Sequence, residues 1–146
     1  MLSVLHAMKP NPYLVLSSIS FVIPTTVAAN YRIWNLYAIF LYMTVVSSIY
    51  HATKYPPLLY LDYPGCYTLV FVVGYETYKI QKFREFIFSC SVCAILFWGG
   101  YFTKRFVFSE NYMEKTITHC MLHLIVMLSG VRTNYLIHIA RGNLLT

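Results

Sequence analysis

The stretch Ser47-Ser48-Ile49-Tyr50-His51, with Lys54-Tyr55-Pro56-Pro57 just beyond it, decides how the chain is read. It closes one long apolar run and opens the next. The run it closes, about residues 33–53, begins at Trp34, a side chain that favours the membrane interface. The paired prolines that follow force a turn, because proline fixes its own backbone angle and cannot donate. The next run, about 58–75, carries Asp62 near its start and Pro64-Gly65 just beyond it. Three more runs lie outward from these two. Residues 12–29 sit between Asn11-Pro12 and Asn30-Tyr31-Arg32, with a kink expected at Pro24. Residues 86–103 end at Lys104-Arg105, and residues 113–131 are bounded by Gly130 and Arg132. Each run approaches the ~20 residues needed to cross ~30 Å of hydrocarbon. The pattern predicts an all-α, polytopic transmembrane helical bundle of about five spans, forming one domain over residues 1–146. The tail 132–146 is expected on the membrane surface.

Composition points the same way. The chain is 58% hydrophobic and only 11% charged, with a mean hydropathy of +0.57. Soluble domains carry about 25% charged residues, so this chain lacks the polar surface to stay in water. The net charge of +6 is scattered over segment ends, with Lys79, Lys82 and Arg84 as its densest group. That placement fits anchoring to anionic lipid and argues against nucleic acid as a partner. Cys90, Cys93 and Cys120 lie inside apolar runs, so the four cysteines do not read as a disulfide framework. No small-residue cleavage pattern follows residues 1–11, and the first span is expected to double as the insertion signal.

Five polar residues stand out against this background: Ser47, His51, Asp62, His119 and His123. Successive spans cross in opposite directions. The end of span two, the start of span three and the start of span five therefore share one membrane face, and all five residues fall near it. Ser47 and His51 are four apart, as are His119 and His123, so each pair projects from one helical face. Two histidines at this spacing can reach one metal ion, and a third from a neighbouring helix leaves the fourth position open, as in catalytic zinc sites. Asp62 is placed to hold or deprotonate a metal-bound water, and Ser47 to donate toward a developing oxyanion. A single membrane histidine more often bonds a neighbouring helix, but ionisable groups gathered at one depth inside spans mark function. His6 and His138 fall outside the pattern and read as surface residues.

Ser-x-x-x-His, then Asp, then His-x-x-x-His resembles the membrane hydrolase superfamily of alkaline ceramidases, adiponectin/progestin-type receptors, GPI-remodelling proteins and the myomaker group. The segment from His51-Ala52-Thr53-Lys54-Tyr55 through Leu59-Tyr60-Leu61-Asp62 is nearest in spacing to the ceramidase branch. Leu16-Ser17-Ser18 through Ile23-Pro24-Thr25 resembles the opening helix of the myomaker group. The resemblance implies zinc held by His51, His119 and His123, with Ser47 and Asp62 as catalytic support. It also implies a lipid substrate, sphingolipid or GPI/phospholipid, cleaved at a ceramide-like amide or an ester. Family members carry seven spans, whereas one span here lies between Asp62 and His119 where three are expected. Removing two keeps the parity of the last helix, so the site can still close. The missing helices would wall the substrate cavity, which raises two expectations: a homo-oligomer, or a non-catalytic relative.

Rival readings stand beside this one, a purely structural membrane protein among them. Cys90-Ser91-Val92-Cys93 could form a thiol-redox centre, although no second cysteine pair is evident to relay electrons, and cysteine is also a small core hydrophobe. Paired histidines on separate helices could ligate haem, which leaves Ser47 and Asp62 without a role. Orientation is nearly balanced. Lys9, Lys54, Lys104, Arg105 and Lys115 lie on the site's face, and Arg32, Lys79, Lys82, Arg84, Arg132 and Arg141 on the other. By a difference of one charge the positive-inside rule favours a cytoplasmic C-terminus and a lumenal or external site. The expected location is the endoplasmic reticulum/Golgi or the plasma membrane.

Overall fold

The computed structural model describes residues 10–143, so His6 and Lys9 lie outside the described residues. The described chain is all-α and forms five helical rods. Here α1 is Pro12–Asn30, α2 Trp34–Thr53, α3 Pro56–Lys79, α4 Phe83–Thr103 and α5 Tyr112–Asn143. A short 3-10 turn, Phe106–Phe108, links the last two. Four rods, all but α3, are long and apolar enough to cross a membrane. The helix α3 has the length, at 24 residues, but Asp62, Glu76 and Lys79 dilute its apolar character.

Local sequence accounts for the breaks. Asn11 caps α1, its side-chain oxygen accepting from the backbone N–H of Tyr13 at 3.0 Å and Leu14 at 3.3 Å, with Pro12 at the first helical position. The rod α1 is interrupted at Ser20-Phe21, between Pro12–Ile19 and Val22–Asn30. The expected kink of Pro24 thus falls four residues upstream, where its ring would meet the carbonyl of residue i−4. Lys54 ends α2 in the left-handed conformation at φ 54°, and its N–H reaches the Tyr50 carbonyl at 2.7 Å. Pro56 then opens α3. Pro64 leaves α3 unbroken, whereas α4 carries a π-turn at Ile95–Gly99.

The expected stop at Gly130 and Arg132 is corrected. The helix α5 runs 32 residues, and residues 132–143 continue it instead of lying apart as a surface tail. Gly130 is a packing position, since a Cβ there would strike the Phe40 ring of α2. Arg132 reaches across to Glu85 at 3.0 Å, and beyond it Asn134 and Ile137 are fully buried.

The core is formed by α1, α2, α3 and α5 around Phe21, Leu36, Phe40, Met43, Leu69 and Met127. The rod α4 buries almost nothing, only Gly100, and lies on the outside against α3 and α5. Large apolar side chains point outward, Phe71 73% exposed and Phe102 78%, while Ser18, Thr77 and Asn134 are buried. Apolar surface outside and polar groups inside is the pattern an apolar solvent selects. At one end of the bundle Asn11 ties three rods together. Its N–H donates to the His51 carbonyl at 3.2 Å and its amide to Thr116 Oγ1 at 2.9 Å. The start of α1, the end of α2 and the start of α5 therefore meet.

Candidate metal centre

His51 sits in the last turn of α2, and His119 and His123 lie one turn apart near the start of α5. Their ring centroids are 4.9 Å apart for His51–His119, 5.4 Å for His51–His123 and 4.8 Å for His119–His123. One ring nitrogen from each lies within 4.8 Å of the other two, so the group could hold a metal ion. Nitrogen ligands on a tetrahedral ion at ~2.0–2.1 Å sit roughly 3.3 Å from one another, so the rings would have to draw together to share one.

The donor set also fits on its own terms. His51 Nε2 and His119 Nδ1 are buried with no hydrogen-bond partner among the described residues. Buried polar atoms are almost always paired, and an unpaired imidazole nitrogen is a free ligand site. His123 is oriented from α1. Ser17 Oγ lies 2.8 Å from His123 Nδ1 and also reaches the Leu14 carbonyl at 3.0 Å. A hydroxyl has one proton. When Ser17 gives it to Leu14, His123 Nδ1 must be the donor, and Nε2 then carries the lone pair. Ser18, fully buried, stands 3.4 Å from the same Nδ1 and 3.2 Å from Ser47 Oγ.

Asp62 lies in the second turn of α3, with Oδ1 buried and unpartnered among the described residues. Lys54 places its ammonium 2.8 Å from His51 Nδ1 and 4.7 Å from the centre of the Tyr50 ring. Burial brings Lys54 down to about 8, with the Asp62 charge opposing the fall.

Ser47, His51, Asp62, His119 and His123 thus occupy one end of the bundle. Ser17, Ser18 and Lys54 complete the surroundings and were not among the residues the sequence singled out for the site. Ser17 and Ser18 carried one available signal, being hydroxyls in the first half of span one, which by alternation shares the same face. His138 lies in the far half of α5, stacked on Tyr31 at 4.1 Å. Cys90 and Cys93 are free thiols on α4, which contributes nothing to the cluster.

Fold and cluster together define a class: an all-helical chain with apolar rods whose end encloses three imidazoles placed to share a metal ion. Comparison with protein-family models, with curated proteins and with solved structures returns no match.

Proposed function

We propose that this chain is a multi-pass membrane protein in which all five rods cross the bilayer, a shortened relative of the seven-helix hydrolases it resembles. In this reading His51, His119 and His123 hold zinc. The substrate is a lipid cleaved at an amide, ceramide-like in the first instance, or at an ester. The observation that carries the reading is the convergence of three imidazoles from two helices, two of them presenting unpartnered buried nitrogens. Zinc, when bound, supplies a Lewis acid and lowers the pKa of a bound water to near 7. The remaining roles belong to the chain. Asp62 takes and returns a proton at Oδ1, the atom with no internal partner. Ser47 donates toward the oxyanion, and Ser17 keeps His123 in the tautomer that ligates.

Metal analysis of purified protein, with lipid hydrolysis measured beside it, tests the reading. Wild type should carry one zinc per chain and cleave ceramide. Asp62→Ala should keep zinc and lose turnover, and His123→Ala should lose both. Absence of zinc from the wild type would end the proposal. A second reading, a metal-holding relative without turnover, is favoured by burial: His51 is 1% exposed and His123 9%. Zinc bound without cleavage of ceramide, phospholipid or GPI substrates would select it.

A further inference from the structure

At the end of the bundle away from the imidazoles, a cleft of about 560 Å³ opens between α4 and α5, with Thr77 of α3 also lining it. Its size is that of ordinary ligand sites, ~300–1,000 Å³. Phe86 fixes one edge, its ring lying where a Cβ on Gly74 of α3 would come within 2.9 Å. The Arg132–Glu85 pair ties α5 to α4 at 3.0 Å. Otherwise α4 is loosely held here: it buries no residue over Phe83–Ala94, and Phe88 in the cleft is 73% exposed. The lining is graded along the helix axes. On α5, Arg132 lies about 10 Å nearer this end than Ile125. On α4, Arg84 precedes Phe88 by one turn. Cations thus stand at the mouth, with Phe88, Ile125 and Leu128 further in; of the apolar lining only Leu136 lies beyond Arg132. This end is also cationic. It carries Arg32, Lys79, Lys82, Arg84, Arg132 and Arg141 against Glu76 and Glu85. Among the described residues its ion pairs are Lys79–Glu76 and Arg132–Glu85, and Arg84 belongs to neither.

We propose that this cleft holds one anionic glycerophospholipid, its phosphate at Arg84 and an acyl chain laid along Phe88, Ile125 and Leu128. A soluble anion would leave the apolar wall bare. A lipid without net charge would leave Arg84 unmatched, in a cleft whose other charges already neutralise each other. The planar guanidinium can give two parallel hydrogen bonds to a phosphate, which a lysine cannot. The lipid fills the space between α4 and α5 at the point where α4 has no core of its own. It sits at the opposite end from the three imidazoles, so it is a resident of the fold and not the substrate. The proposal rests on the membrane placement given above and is independent of the metal.

The test uses the full-length protein in an uncharged detergent, titrated with phosphatidylglycerol or phosphatidylcholine, with lipid retention read by native mass spectrometry. Wild type should retain one phosphatidylglycerol at least ten-fold more tightly than phosphatidylcholine. Arg84→Gln should lose that preference. Lys82→Gln removes the same charge two residues away, outside the cleft, and should keep it. Leu128→Trp fills the apolar part and should weaken phosphatidylglycerol retention at least ten-fold with the charge unchanged. Arg84, Lys82 and Leu128 are all exposed, so the three variants should fold. Excess glycerol 3-phosphate should displace nothing. Equal losses in Arg84→Gln and Lys82→Gln would reduce the contact to diffuse charge attraction and overturn the proposal. A wild type without preference, or a Leu128→Trp that retains lipid as wild type does, would overturn it too. Displacement by glycerol 3-phosphate would make the cleft a soluble-phosphate site and overturn the lipid assignment. Release of the protein from membranes by alkaline washing would remove the membrane placement and the proposal with it.

Discussion

His123 is the most tightly oriented of the three imidazoles, and the groups that orient it come from α1. Ser17 and Ser18 face its Nδ1, and the Phe21 ring stands 5.3 Å from its own. Removing the hydroxyl frees the tautomer. In the zinc reading, Ser17→Ala should weaken binding by roughly ten-fold or more, as loss of an outer hydrogen bond does at zinc sites, with the fold unchanged. Competition with a chromophoric chelator reads this directly, and unchanged affinity would show that Ser17 is incidental. Asn11 is a different case, because it closes the end of the bundle. Asn11→Ala removes a helix cap, about 1 kcal/mol, together with the bond to Thr116, and should lower the thermal midpoint. At this scale the grouping of the three histidines was legible in the sequence, because spacing of four on a helix is local geometry. Ser17, Ser18 and Lys54 were not, because their roles depend on which turn of one helix faces which turn of another.

The element that sequence reading cut short is α5. Glycine followed by arginine reads as a stop, yet no proline follows, and both residues are used in contacts between rods. Gly130 lets the Phe40 ring approach, and Arg132 pairs with Glu85. Gly130→Val should force α2 and α5 apart, cost roughly 1–3 kcal/mol as overpacking does, and weaken zinc binding, since His51 and His123 sit on those two helices. Thermal unfolding and zinc titration of the same preparation check both parts. Truncation after Val131 gives the complementary measurement. It removes Asn134, which donates to the Pro24 carbonyl at 3.1 Å, and Ile137, which is fully buried. A dispensable surface tail would leave the midpoint where it is; a continuing packed helix should lower it by several degrees, roughly the scale of 1 kcal/mol or more.

For the whole molecule, everything hangs on alternation, and alternation hangs on α3. The four apolar rods were legible because their runs are uniform. The third was read as a span, but it is the one whose composition alone does not qualify. Its 24 residues extend about 36 Å, enough to cross. Its two carboxylates are turned into the bundle. Glu76 is buried against Asn35 and Lys79, and Asp62 turns its Oδ1 inward, while Tyr67, Val70 and Phe71 point outward. A helix whose polar atoms face its neighbours and whose aromatic side chains face out can span at low average hydropathy. The joint at Lys54-Tyr55 and the joint at Gln81-Lys82 should therefore lie on opposite sides of the membrane. A glycosylation-acceptor loop inserted at one joint or the other should be modified in only one of the two fusions during membrane insertion. Modification at both would mean that α3 re-enters instead of crossing. The helix α5 would then start on the other side from the end of α2, and His119 and His123 could not meet His51.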